Sequence, residues 1–327
     1  MKAAFFKNYG SPDVLSVTEI EKPVPKEKEL LIRVYATTVN RTDCAILRAQ
    51  PFIMRLFTGL FKPRKNIPGT DFAGRIIAVG KEVSLFNAGD DVFGFDDTGL
   101  SSQAEYMTLS EDKAVMSMPV NLSFEQAAAS SEGAHYAYNG IKKVSLKPGD
   151  KVLVNGATGA IGTAAVQLLH YFGADITAVC NTKNLELVTS IGANQTIDYS
   201  REDFTQSDKK YSYIFDAVGK STFSKCKPIL EPGGVYISSE LGPWAQNIFL
   251  PVTTRVSGGL AGRHSGKRVI FPFPSNIKRS LLLISKMTEE CKFKAVIDRS
   301  YPLEDIADAY RYVETGEKTG NVVITYG

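Results

Sequence analysis

Lys151-Val152-Leu153-Val154-Asn155-Gly156-Ala157-Thr158-Gly159-Ala160-Ile161-Gly162 is the stretch that decides the fold of this chain. Lys151–Asn155 is too apolar to alternate and reads as a short buried strand. A glycine turn follows at once, and Thr163 to Phe172 then carries apolar residues at helical spacing. Strand, glycine turn and helix in that order are the context in which a glycine pattern signals a dinucleotide site. Gly159 lets the backbone approach a pyrophosphate, and Gly162 lets the helix pack closely on the sheet. The phosphates would meet a helix N-terminus, where unpaired N–H groups and the dipole favour negative charge. Ala157 stands where the strict pattern has its first glycine, giving A-x-G-x-x-G.

The next strand, Asp175-Ile176-Thr177-Ala178-Val179, runs into Cys180-Asn181-Thr182-Lys183. A dinucleotide site for NAD usually has a carboxylate at that strand end, accepting from the ribose hydroxyls. Here Asn181, Thr182 and Lys183 stand instead, a set that would attract a 2′-phosphate. The expected cofactor is NADP(H). The competing reading, that Lys183 is a solvated residue opening the next helix, stays open.

Outward from this segment, 327 residues are enough for two domains with ample core. A net charge of +3 without a dense Lys/Arg block argues against nucleic acid. Cys44, Cys180, Cys226 and Cys291 form no C-x-x-C pair, which suits reduced thiols and suggests neither a disulfide framework nor a zinc knuckle. Met1–Lys7 is strand-like with no signal-peptide core, and no apolar run approaches membrane-spanning length. A soluble, cytoplasmic protein is expected.

Residues 1 to about 120 read as mostly β, with strands such as Leu30–Ala36 and Phe72–Val79. Ser123-Phe124-Glu125-Gln126 is a capping-box sequence predicting a helix towards Lys142. Beyond Lys147-Pro148-Gly149-Asp150, strand and helix patterns alternate as in a parallel sheet. They include a helix over Leu185–Ile191, strands at Tyr213–Gly219 and Gly234–Ser238, and a last strand over residues 268–273. The tail returns to a helix over Leu303–Val313, with Ile306, Ala309, Tyr310 and Val313 on one face, and a strand over Asn321–Thr325.

Val39-Asn40-Arg41-Thr42-Asp43, Ile67-Pro68-Gly69-Thr70-Asp71-Phe72-Ala73-Gly74, Ala88-Gly89-Asp90-Asp91-Val92-Phe93-Gly94 and Ala104-Glu105-Tyr106 precede the glycine segment in this order. Together with Asn155–Leu168 they resemble the medium-chain dehydrogenase/reductase superfamily, in particular its zinc-free quinone oxidoreductase-like branch. The resemblance covers nearly the whole chain. It implies an α/β protein in which a GroES-like partial β-barrel catalytic domain is joined to a Rossmann doubly wound parallel-sheet cofactor domain. The expected division is 1–122 for the GroES-like domain, 123–272 for the NADP-binding domain, and 273–327 for the chain's return to the catalytic domain. The nicotinamide would lie in the cleft between the two. Zinc-dependent members hold their catalytic metal with Cys, His and a later Cys or Asp. This chain has Asn40, Thr70 and Glu132 at the matching positions and lacks the four-cysteine structural lobe, so no metal is expected.

Without a Lewis acid an alcohol is hard to oxidise, whereas a quinone or an enone can accept hydride to give a delocalised anion. That anion needs hydrogen-bond donors and a proton. Asn40 is the first candidate donor and Thr70 the second; a loop-bracing role for Asn40 stays open. By the family match, Glu132 replaces a zinc ligand and Tyr136 sits where a side chain approaches the nicotinamide and could protonate the product. His135, where relatives often have Leu or Met, is read as a satisfied core residue, with proton donation open if it faces the cleft; for Tyr136 a helix-face residue with a satisfied polar tip stands equally beside the catalytic role. The apolar run Gln50–Phe61 would line a flat hydrophobic pocket, with a short packed helix or a dimer contact as alternatives. Phe95, Trp244 and Phe249 are further pocket candidates. For the cofactor, the backbone of Thr158, Ala160 and Ile161 would serve the pyrophosphate. The resemblance places Tyr199 beside the adenine, Val218-Gly219 and Leu241-Gly242 along the ribose and nicotinamide, and Asn321 in a C-terminal contact loop.

The expectation is therefore an NADPH-dependent reductase of quinones or α,β-unsaturated carbonyls that works without zinc on a small hydrophobic substrate. A homodimer is the family expectation, with neither nucleic acid nor membrane as partner. Two alternatives stand beside it. One is a zinc-free enoyl-thioester reductase, for which Arg55, Lys62, Arg64 and Lys65 would form a basic entrance, a solvated face being the equal alternative for these residues. The other is a non-catalytic NADPH-binding or sensor protein.

Overall fold

The computed structural model describes residues 1–52, 54–238, 247, 250–251 and 266–327, with Phe57 described for its backbone alone. Ile53, Leu241, Gly242, Trp244 and Phe249 therefore lie outside the described residues. Two compact units are present: Met1–Glu132 with Asn276–Gly327, and Gly133–Ser275.

In the first unit β1 (Lys2–Phe5) pairs with β2 (Ser16–Glu19). The main sheet runs in the order β14 (Ile297–Pro302), β15 (Asn321–Thr325), β3 (Glu29–Val39), β4 (Asp71–Val79), β5 (Asp91–Phe95) and β7 (Val115–Ser117), with β6 (Tyr106–Ser110) also on β3. The long β3 organises this sheet. Its first half pairs with β6, Glu29 opposite Ser110, and its second half with β15, Val322 opposite Val39. Two partners along one edge bend a sheet towards closure, as in a partial barrel. Ile32, Val34, Phe72, Ile76, Val92 and Met107 fill one core cluster. A second forms where α1 (Arg41–Arg48) and α9 (Ile306–Thr315) cover β15, through Leu47, Ile306, Ala309, Tyr310, Val313 and Ile324. The helical stripe expected at Ile306, Ala309, Tyr310 and Val313 is buried as read. The helix proper begins three residues later than expected, after a 3-10 turn at Leu303–Asp305.

The capping box is present: Gln126 N donates to Ser123 Oγ at 3.3 Å, and Ser123 N donates to Gln126 Oε1 at 3.2 Å. The single helix expected towards Lys142 is instead two, α3 (Phe124–Ala129) and α4 (Glu132–Ile141). Ser130 and Ser131 cause the break. Their hydroxyls donate back to the carbonyls of Gln126 and Ala127, at 2.7 and 3.4 Å, competing with the helical ladder. The interruption leaves Glu132 at the start of α4, fully enclosed.

The second unit holds a six-stranded parallel sheet in the order β10 (Gln195–Asp198), β9 (Asp175–Cys180), β8 (Lys151–Asn155), β11 (Tyr211–Asp216), β12 (Leu230–Ser238) and β13 (Arg268–Ile270). That is the doubly wound order 3-2-1-4-5-6, whose direction of growth reverses between β8 and β11. The last strand ends at Ile270 rather than 273, because Pro272 has no N–H to give a ladder. α5 (Ala160–Tyr171) follows β8 directly, with Gly159 as its N-cap.

Candidate active site

Asn40, Thr70 and Glu132 come from three separated parts of the first unit: the end of β3, the loop before β4 and the start of α4. They meet at one carboxylate oxygen. Thr70 Oγ1 donates to Glu132 Oε2 at 2.8 Å, and Asn40 Nδ2 donates to the same atom at 3.2 Å. The Thr42 hydroxyl also bonds to this carboxylate. Asn40 Nδ2 gives its second hydrogen to Thr38 Oγ1 at 2.6 Å, and Thr38 donates onward to Asp71 Oδ2 at 2.5 Å. Asn40 N donates to Asp43 Oδ2 at 2.8 Å at the head of α1. The amide of Asn40 and the hydroxyl of Thr70 are thus already committed to protein acceptors.

Three carboxyls share this enclosed space, and all hold their protons more tightly than usual. Burial and the charge of Glu132 push Asp43 well above the ordinary range and Asp71 up to about 7. Burial raises Glu132 as well, against the pull of its three donors. A cation, Lys318, is bonded within this cluster. Its Nζ donates to Gly320 O at 2.7 Å and lies 3.4 Å from Asn40 Oδ1. Burial lowers Lys318 to about 8, while the neighbouring Glu132 charge works in the opposite direction. The amide of Asn40 is therefore fixed at both ends, its oxygen towards an ammonium and its nitrogen towards a carboxylate. Sequence reading missed Asp43, Asp71 and Lys318. Asp43 and Asp71 lie in the two motifs that carry Asn40 and Thr70, which was the available signal; Lys318 had none.

This donor set does not suit zinc. An amide, a hydroxyl and one carboxylate are poor ligands, and an ammonium already serves the carboxylate electrostatically. Among the described residues no group of three His, Cys, Asp or Glu side chains is arranged to hold a metal ion.

In the second unit the glycine turn has the shape a pyrophosphate needs. Gly156 is left-handed, with φ +76°. A Cβ on Gly162 would lie 2.0 Å from Gly156 O, so no side chain fits between helix and turn. A Cβ on Gly159 would meet nothing within 4 Å, so the N-terminus of α5 opens on free space. Thr158, Gly159 and Ile161 are half-buried around it, while Ala160 and Gly162 are buried. At the switch point Asn155 donates to Asp216 Oδ1 at 3.0 Å, Tyr236 donates to its Oδ2 at 2.6 Å, and Gly219 N caps Oδ1 at 3.1 Å. Val218 and Gly219 are thereby positioned by an aspartate that sequence reading did not single out.

The strand end at Asn181-Thr182-Lys183 is not free of acid, as the linear sequence suggested. Asp198, from neighbouring β10, accepts from Thr182 Oγ1 at 2.5 Å and from Ser200 Oγ at 2.6 Å, and Arg201 lies 3.4 Å away. These hydroxyl bonds lower its pKa, so it is ionised and fully partnered. Lys183 is exposed, and so is the Tyr199 ring, at 57%. Asn321 lies in the other unit, buried, with its amide donated to Val296 O at 3.0 Å. Tyr136 is half-buried on α4, its ring edge-on to His135. His135 is enclosed, bonded to Asn139 at 3.1 Å, and lowered by burial to about 4, consistent with a neutral core residue. Phe95 is completely buried in β5. Among the described residues of the Gln50–Phe61 stretch a short helix, α2 (Met54–Thr58), forms, with Phe52, Leu56, Leu60 and Phe61 exposed.

Comparison with known proteins agrees with this fold. Residues 26–120 match the alcohol dehydrogenase GroES-like domain family, and residues 191–324 a family described as zinc-binding dehydrogenase. A 2-methylene-furan-3-one reductase of Solanum lycopersicum is 33% identical over 338 residues, covering 99% of this chain and 79% of that protein. An NADPH-dependent alkenal/one oxidoreductase of Arabidopsis thaliana is 30% identical, with 99% and 79% covered. The solved quinone oxidoreductase of Coxiella burnetii superposes with a TM-score of 0.86 at 26% identity, covering 99% of each chain. A GroES-like sheet that the chain leaves and re-enters, and a dinucleotide sheet with a glycine turn on its first strand, place this chain in the medium-chain dehydrogenase/reductase superfamily, within its quinone oxidoreductase-like branch.

Proposed function

We propose that this chain is an NADPH-dependent reductase that transfers hydride to a quinone or an α,β-unsaturated carbonyl without a catalytic metal. The observation that carries the reading is the Asn40–Thr70–Glu132 cluster, in a chain whose relatives are named as reductases of such acceptors. A bound nicotinamide would supply the hydride. The backbone of Thr158, Gly159, Ala160 and Ile161 would hold its pyrophosphate, Gly162 would keep helix and turn in contact, and Val218 and Gly219 would border the ribose. Exposed Tyr199 would lie against the adenine. Asn181 and Lys183 favour a 2′-phosphate, while the Thr182 hydroxyl is spent on Asp198, whose charge Arg201 balances. Within the site, Asn40 and Thr70 serve Glu132 as positioning donors, since their hydrogens are spent on protein acceptors. Tyr136 remains the proposed proton donor from α4. Leu241, outside the described residues, and Asn321, whose amide is bonded to Val296 O, keep their assignments only from the family resemblance.

The experiment is consumption of NADPH and of NADH against a panel of quinones and enones, with metal content measured on the same preparation. Turnover with NADPH and less than stoichiometric zinc supports the reading; tightly held zinc at Glu132, or no turnover with either cofactor, overturns it. A cytoplasmic homodimer belongs to the same proposal, with light scattering of the purified protein as its check. Among the described residues no helix is long and apolar enough to cross a membrane.

A further inference from the structure

We infer that Lys318 is the group that receives the negative charge of the reduced substrate, taking over electrostatically what a metal does elsewhere in this fold. The inference rests on the reductase reading above and identifies which side chain that reaction depends on. An anion forming at this site needs a donor that is not already spent. Asn40 Nδ2 has given both hydrogens, to Thr38 and Glu132, and Thr70 has given its one to Glu132. An ammonium has three N–H donors. Lys318 uses one on Gly320 O and points another, weakly, at Asn40 Oδ1 across 3.4 Å, so one donor has no partner among the described residues. The side chain is half-buried, which strengthens its field without sealing it away.

The network also explains why the ammonium stays in place. Glu132 supplies the counter-charge, and its own position is fixed by Thr42, Thr70 and Asn40. Asp298, Cys44 and Arg41 are the other titratable groups that act on Lys318. When hydride adds to the β-carbon of an enone, the displaced π electrons collect on the carbonyl oxygen as an enolate. The spare Lys318 N–H meets that oxygen. The carbonyl re-forms when the α-carbon takes a proton, so hydride and proton together account for the two hydrogens added.

The test compares the wild type with Lys318→Met, Lys318→Gln and Lys318→Arg on three readouts. They are turnover of NADPH with a quinone and with an enal, NADPH affinity by fluorescence, and binding of 4-nitrophenolate, an enolate-like anion, by its absorbance. Loss of the donor should lower kcat by about 100-fold, as removal of an oxyanion donor does elsewhere. NADPH affinity should hold, phenolate binding should weaken by about tenfold or more, and Lys318→Arg should recover much of both. Should Lys318→Met fail to fold, Lys318→Gln carries the comparison. Unchanged kcat and phenolate binding in both neutral variants would overturn the inference and leave the reductase reading standing. If the wild type lacks turnover the reductase reading fails by itself. Lys318-dependent phenolate capture would then still support an anion site, and its absence would remove that too.

Discussion

The hydroxyl of Thr70 donates to Glu132 Oε2 across 2.8 Å, joining residues 62 positions apart inside one unit. The bond is part of a buried network that links a carboxylate, an amide, a hydroxyl and an ammonium. Such clusters respond steeply to the loss of a single member, because the remaining groups are left buried without partners.

Glu132→Gln should therefore destabilise the protein by about 1–3 kcal/mol, since it leaves the Lys318 ammonium without its counter-charge. Glu132→Gln combined with Lys318→Met should cost less than the sum of the two changes. Urea unfolding of the four proteins in a double-mutant cycle measures the coupling, and strict additivity would show that the pair does not interact.

The two glycines of the turn should separate folding from binding. Gly162→Ala places a Cβ 2.0 Å from a backbone oxygen and should cost about 1–3 kcal/mol of stability or more. Gly159→Ala meets no protein atom within 4 Å, so its melting temperature should stay near the wild type while NADPH affinity falls. Calorimetry and cofactor titration on both variants decide the point; equal loss of stability in the two would contradict the assigned roles.

Lys183→Glu should weaken NADPH binding by more than about tenfold and leave NADH nearly unchanged, since only one cofactor carries the 2′-phosphate. Arg201→Ala should act in the same direction, because it uncovers the Asp198 charge. Parallel dissociation constants for both cofactors provide the check. Equal effects on the two would remove the basis for the phosphate preference.

His135 supplies a pH signature. Its folded-state pKa lies near 4, below the ordinary 6.5, because burial disfavours the imidazolium and Lys142 adds repulsion. The folded state thus binds fewer protons than the unfolded chain between these values. Its contribution is intact above pH 6.5 and is lost as pH falls towards 4. The full difference is about 3 kcal/mol at 1.36 kcal/mol per unit, an upper figure. Asp43, Asp71 and Glu132, with raised values, act in the opposite sense, so the comparison is with His135→Gln across the same pH series. A variant with the same acid sensitivity as the wild type would refute the assignment.

The features legible in the sequence are those fixed by local rules. A strand, a glycine turn and a helix must be contiguous to bind pyrophosphate, so residues 151–172 reveal both sheet type and cofactor class. The Ser123 cap was legible for the same reason, whereas the break at Ser130-Ser131 was not, because a pair of serines inside a helix pattern is weak punctuation. Asn40, Thr70 and Glu132 were found through family motifs, and the structure adds that they touch. Asp198 escaped because it reaches Thr182 only through the parallel pairing of β9 and β10. Lys318 escaped because its partner Asn40 is 278 residues away, a separation on which no periodicity reports.

The placement of β15 between β14 and β3 has a consequence for how the molecule is made. As the chain emerges from the ribosome, residues 133–275 can complete a contiguous parallel sheet early. The edge of β3 at Ala36–Val39 waits for residues 322–325 before its ladder closes. Until then that strand offers open backbone groups to any other extended chain. Nascent or truncated forms should therefore be the ones that depend most on chaperones and aggregate most readily.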